Sequence, residues 1–151
     1  MATQPTATDA EVILKLYDLR REAEMRKARN WWLMTFWPRS VDDFMQIANA
    51  MGTQENNWMR QVSGYWELAA SMVVHGAVHA DLFLEPSFSG EMYFIFAKVR
   101  PFLNELREKV GSPSMLRNVE KVATLTEESR SRLQQFEGRV AARLKAMSAG
   151  N

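Results

Sequence analysis

Apolar residues in this sequence recur at spacings of three and four, and that recurrence restricts the fold more than any other feature. Between Thr53 and His75 they stand at Trp58, Val62, Tyr65, Trp66, Ala69 and Val73, on one stripe of a 3.6-residue helix. Only Met92 to Val99, with Tyr93, Phe94, Ile95 and Phe96, has the composition of a strand. No second segment offers it a pairing edge, whereas Phe102, Leu103 and Leu106 carry a helical spacing on toward Gly111, with a kink or restart at Pro101. The chain is therefore predicted to be all-α, a single-domain helical bundle or array of about six helices. At 151 residues one core suffices, because a chain of that length buries roughly 70% of its unfolded surface.

Caps and breakers set the expected boundaries. Thr8-Asp9-Ala10-Glu11 has capping-box form, so a first helix is expected from Thr8 until Pro38 ends it. Ser40 caps a short second helix that Gly52 stops, and the third runs from about Thr53 to His75, closed by a left-handed Gly76. Asp81 to Leu84 makes a turn, and Glu85 to Gly90 reads as a loop. Ser112-Pro113 reads as a cap with proline at the first helical position, and a last helix is expected from about Leu125 to Met147, with Thr124 and Glu127 as its capping box. The organisation this gives is a disordered tail over 1–7, a helical core over 8–122, and a C-terminal helix over 123–151 packing on the core or on a partner.

Charge and composition narrow the function classes. Nineteen basic residues against eighteen acidic ones leave no electrostatic footprint for a phosphate backbone, so nucleic acid is not an expected partner. The chain has no cysteine, hence no disulfide, thiol nucleophile or cysteine metal site, which fits a reducing cytosol and a cytoplasmic location. Its first residues lack the basic start and apolar run of a secretory or transit signal. The most apolar stretches, Trp31 to Trp37 and Leu68 to Val74, fall far short of the ~18 residues a spanning helix needs, so no membrane partner is expected.

Several groupings merit weighing as chemistry. His75 and His79 have the i,i+4 spacing of a metal pair, but Gly76 lies between them and no third ligand completes the set. No metal is assigned, and His75 reads equally as a surface residue at a helix C-terminus. The run Arg20 to Arg29 offers Arg20 with Glu24, and Glu22 with Arg26, at i,i+4. It reads either as a solvated face or as a polar groove whose arginines grip a carboxylate or phosphate, with Glu67 or His75 opposite. The candidate ligand residues are thus Arg20, Glu24, Arg26, Glu67 and His75. Trp31, Trp32, Phe36, Trp37, Trp58 and Trp66 suit core packing better than base stacking, since no basic groove accompanies them. There is no phosphate loop or nucleophile elbow, and no cofactor is expected. On the last helix Leu133, Phe136, Val140 and Leu144 form a narrow apolar seam among charges, the candidate partner interface, though such a seam can also dock on its own domain.

The words Leu16-Tyr17-Asp18-Leu19-Arg20-Arg21-Glu22, Met25-Arg26-Lys27-Ala28-Arg29-Asn30-Trp31, Gly64-Tyr65-Trp66-Glu67-Leu68-Ala69-Ala70-Ser71 and Phe96-Ala97-Lys98-Val99-Arg100-Pro101-Phe102 resemble a family of small bacterial all-helical proteins, a domain of unknown function. The resemblance covers roughly Val12 to Val122, leaves the last helix outside, and implies a helical fold without implying an activity. The leading functional expectation is a non-enzymatic interaction or self-association module, with a protein partner or a second copy on the seam. The alternative is a small-ligand or enzymatic site in the Arg20 to Arg29 belt.

Overall fold

Thr6, rather than Thr8, starts the first helix. In the computed structural model, which describes residues 4–150, α1 spans Ala7–Leu19. Thr6 Oγ1 accepts from the Asp9 amide at 3.3 Å, and the Asp9 carboxylate accepts from the Thr6 amide at 2.7 Å. Aspartate at the third helical position closes the box, so the cap lies two residues earlier than the Thr8/Glu11 pairing. Of the tail expected over 1–7, residues 1–3 lie outside the described residues.

The helix expected to run on to Pro38 is broken. Residues 20–22 leave helical geometry, and Glu22 adopts an extended backbone from which its carboxylate accepts the amides of Glu24 (3.1 Å) and Met25 (2.9 Å). It thereby caps α2, Ala23–Asn30. Arg20 with Glu24 and Glu22 with Arg26 do not pair across this break; Glu24 meets Lys27 instead, at 3.0 Å. Trp31–Thr35 then forms a single π turn, closed by the Phe36 amide donating to the Trp31 carbonyl at 2.9 Å.

Downstream, α3 spans Val41–Ala48 behind a Ser40 cap and α4 spans Gln54–Val74 behind Thr53. α5 is one turn, Ala80–Phe83, and α6 spans Pro86–Val99. The expected loop over Glu85 to Gly90 is therefore the first turn of α6, with Pro86 at the position where a missing N–H costs nothing. The strand-like segment lies inside this helix, as the absence of a pairing edge requires. A 3-10 turn at Arg100–Phe102 absorbs Pro101, and α7, Leu103–Val110, stops at Gly111 with φ +66°.

Ser112-Pro113 opens no helix. α8 spans Arg117–Ala123 after Leu116, a non-glycine residue at φ +56° that costs about 1 kcal/mol. α9, Glu127–Ala149, starts behind Thr126 with Ser129 as its capping partner, not behind Thr124 with Glu127.

α4 packs against α2 and α8, and α6 packs against α9. α6 is the most enclosed element, with Met92, Tyr93, Ile95, Phe96, Ala97, Lys98 and Val99 all buried. The seam of α9 is covered within the chain: Leu133 and Val140 are buried, and Phe136 stacks on Tyr93 with centroids 5.9 Å apart. Arg100 adds an ion pair to Glu137 at 2.7 Å.

Candidate functional site

Burial on all sides makes any charged group on α6 expensive, because an ion removed from water must find partners inside. Two such groups, Glu91 and Lys98, stand seven residues apart, two turns of one face; Glu91 reaches α2 and α4, and Lys98 reaches the chain between α2 and α3. Lys98 is 2% exposed. Its Nζ donates to the carbonyls of Trp32 and Phe36, the latter at 2.7 Å. It lies 3.7 Å from the centroid of the Trp37 ring and 4.7 Å from that of Phe94. These carbonyls end the π turn, where backbone acceptors have no following helix to pair them. The amine thus closes the turn from a distance of 62 residues in sequence. Burial pushes Lys98 down to about 7.

Glu91, two turns earlier, accepts from Arg29 Nε at 2.7 Å and from Trp66 Nε1 at 3.0 Å. Arg20 lies beside this group, itself buried, with Nη1 donating to the Phe88 carbonyl at 3.1 Å and its plane over the rings of Tyr17, Trp66 and Phe88. Tyr65 donates its hydroxyl to the Leu16 carbonyl, and burial pushes its phenol up. Arg29 with Glu91 and Trp66 holds α2 onto α6 and α4, while Arg20 ties the end of α1 to α6.

The ligand residues expected from sequence are placed separately. Arg20 is directed at the first turn of α6. Glu24 and Arg26 are exposed on α2, with Arg26 Nε donating to the Arg21 carbonyl at 2.9 Å. The Glu67 carboxylate accepts the amides of Asn118 (2.9 Å) and Val119 (3.0 Å), so it caps α8, whose own Leu116 has no acceptor to offer. His75 closes α4 in the open. No hydrogen bond joins any two of these five among the described residues. His79 sits beyond Gly76, where its Nδ1 accepts the Asp81 amide at 3.2 Å, and no group of three metal-capable side chains forms among the described residues.

Lys98 and Glu91 are not candidates on sequence grounds, and Arg29 enters only as the end of the Arg20 to Arg29 belt. The signal available was Lys98 itself, a lone charge inside the apolar run from Met92 to Phe102.

The surface holds an apolar groove of about 730 Å³ between the end of α4, the start of α5 and the end of α8. Its walls include buried Val78 and Val122 (2% and 1% exposed) and open Val74 and Leu125 (36% and 50%). Lys121, Asp9 and His79 stand at its edge. Asp9 is already engaged, accepting from Thr6 and from the His79 amide at 3.0 Å, and these bonds hold its carboxyl below the usual range.

The class these features define is an all-helical domain whose aromatic core is locked by buried cations on backbone carbonyls and a carboxylate. The chain belongs to the family described as Domain of unknown function (DUF4760), whose model matches residues 5–126 and leaves α9 outside except for its cap. No curated protein and no solved structure matches it. No helix among the described residues is long and apolar enough to cross a membrane.

Proposed function

We propose that this domain is a non-enzymatic binding module and that its docking surface is the groove between α4, α5 and α8. One observation carries the reading: a single groove is lined both by core residues, Val78 and Val122, and by apolar residues in the open, Val74 and Leu125. A concavity of this size, mostly apolar with a few polar groups at its edge, is the form that sites for small ligands and apolar side chains take. The binding role is further supported by where the charges went. Arg20, Arg29, Glu67 and Lys98 are all engaged inside the chain, which makes them architecture. The seam of α9 packs on α6 through Leu133, Phe136 and Val140, which supports the groove over the seam as the docking surface.

The test uses 1-anilinonaphthalene-8-sulfonate as apolar probe, its sulfonate facing Lys121, together with light scattering across a range of protein concentrations. The native chain is expected to bind the dye saturably, and Leu125→Asp and Val74→Asp are expected to abolish that binding while the fold persists. A dimer that Leu125→Asp converts to monomer identifies a second copy as the occupant. Dye binding that survives both substitutions, or a native chain that binds none, overturns the assignment.

A further inference from the structure

Between Gly138 and Ala149 the last helix carries Arg139, Arg143 and Lys145 and no acidic residue, in a chain whose net charge is only +1. The helix dipole does not account for these cations, because it favours them in the last turn, and the last turn of α9 has none. Ion pairing does not account for them either. Among the described residues no carboxylate pairs with Arg139, with Arg143 or with nearby Arg39. Glu137 is taken by Arg100 at 2.7 Å, and Asp43 accepts the Arg39 amide at 2.8 Å. Two cations four residues apart on a helix repel each other, so the pair costs stability. What the two arginines share is a bed of aromatic rings. The guanidinium carbon of Arg139 lies 4.9 Å from the Phe136 centroid, and that of Arg143 lies 5.9 Å from the Trp37 centroid. Phe94 stands edge-on to both rings, 6.4 Å from Phe136 and 5.6 Å from Trp37, so the three form one half-buried row. Buried Lys98 lies against Trp37 and Phe94 from the interior, which fixes where the arginines rest. Arg39 joins them at one end, its Nη2 donating to the carbonyl of Leu144, the residue after Arg143, at 3.0 Å.

We propose that Arg39, Arg139 and Arg143 bind a phosphate monoester, the two guanidinium groups on the aromatic row donating to its oxygens and Arg39 closing the grip from the chain before α3. A guanidinium resting on a ring face keeps its in-plane N–H groups free, and it has already lost rotamer freedom that binding would otherwise cost. Its fork matches paired oxygens of one anion, which an ammonium cannot do. A phosphate monoester brings three oxygens and between one and two negative charges at neutral pH, against which three cations without carboxylate partners are matched. A carboxylate brings two oxygens and a single charge, and leaves one arginine unanswered. All three side chains are exposed, so the anion reaches them without opening the fold. The site is separate from the apolar groove, whose walls come from α4, α5 and α8.

The experiment is a 1H–15N NMR titration of the intact chain with glycerol 3-phosphate at fixed ionic strength, following the arginine Nε–H and Trp37 indole N–H resonances, with acetate as control. Saturable shifts at Arg39, Arg139 and Arg143 are expected, with acetate weaker by roughly tenfold. Arg143→Gln is expected to weaken binding roughly tenfold, the worth of a charge-assisted hydrogen bond. Arg143→Lys keeps the charge and loses the fork, and is expected to weaken it roughly threefold to fivefold. Arg60→Gln removes an exposed cation from α4 and leaves the titration unchanged, which separates the site from net charge. The same spectra show that each variant folds. Phosphatidic acid vesicles present the same monoester on a surface. Co-sedimentation with them that Arg143→Gln abolishes, without any response to glycerol 3-phosphate, assigns the ester to a lipid headgroup. The proposal is overturned by no response to either form, by acetate binding as tightly, by Arg143→Lys binding as the native chain does, or by Arg60→Gln weakening binding as much as Arg143→Gln.

Discussion

Glu91 and Lys98 occupy the same face of α6 two turns apart, the first holding α2 and the second the turn that follows it, yet they solve burial differently. Glu91 is neutralised: Arg29 meets it at 2.7 Å, with Trp66 Nε1 completing its shell. Lys98 meets no opposite charge. It has two carbonyls and two aromatic faces, all of them dipoles or quadrupoles. The difference is what each group can give up. An arginine keeps its proton under all conditions, so its buried partner must remain a carboxylate. A lysine can lose one proton and still donate two N–H bonds to two carbonyls, so its site works in either charge state.

The largest effect should follow from cutting the neutralised pair. Glu91→Ala leaves Arg29, whose side chain is only 25% exposed, without its carboxylate and Trp66 without its acceptor. Removing one partner of a buried pair strands the other charge, and the expected loss is about 3 kcal/mol in chemical denaturation. Adding Arg29→Met should recover part of it. A double variant no better than Glu91→Ala would show that the pair contributes through Trp66 alone.

How much of this was legible depends on whether the information was local. The stripe on α4 and the caps Ser40 and Thr53 lie within a few residues of what they specify, and the all-helical class follows from them. The break at Arg20 to Glu22 carries no glycine or proline, and only the Glu22 carboxylate turning onto Glu24 and Met25 reveals it. The start of α8 is set by Glu67, 51 residues away, so no local reading of Ser112-Pro113 can find it. Glu85 to Gly90 reads as a loop because proline, serine and glycine serve a helix start as well as a turn. Ser89 is turned inward, where its hydroxyl accepts from Arg132 of α9, a partner 43 residues away. For the groove, Val78 and Leu125 belong to different elements, and adjacency between them is purely tertiary.

A smaller loss is expected from Lys98→Met. The substitution keeps most of the volume and removes the buried ammonium altogether, while leaving the carbonyls of Trp32 and Phe36 without donors. Each unpaired carbonyl costs about 1 kcal/mol or more, and relief of the desolvated charge offsets part of this, for a net loss of about 2 kcal/mol. Trp37 fluorescence should report loosening of the π turn. A loss equal to or above that of Glu91→Ala would break the comparison, because it would mean that Lys98 is as dependent on its charge as the neutralised pair.

The smallest effect is also the one that separates the two sites most directly. Burial holds Lys98 at about 7 in the folded chain, against roughly 10.4 for a lysine in water. Between those values the unfolded chain binds the proton more tightly than the folded one, so stability rises with pH across that interval. Below pH 7 both states carry the proton, and the whole cost of burying the ammonium is present. From pH 7 to pH 8 the native chain should therefore gain about 1 kcal/mol. The buried phenols of Tyr65 and Tyr93 are both raised and bear on stability only at more alkaline pH, where they act in the opposite sense. Denaturation midpoints of the native chain and of Lys98→Met at pH 7, 8 and 9 test this directly: the first series should climb and the second stay level. Parallel series would mean that Lys98 keeps its proton throughout, held by carbonyl dipoles and aromatic faces as firmly as Arg29 is held by a full negative charge.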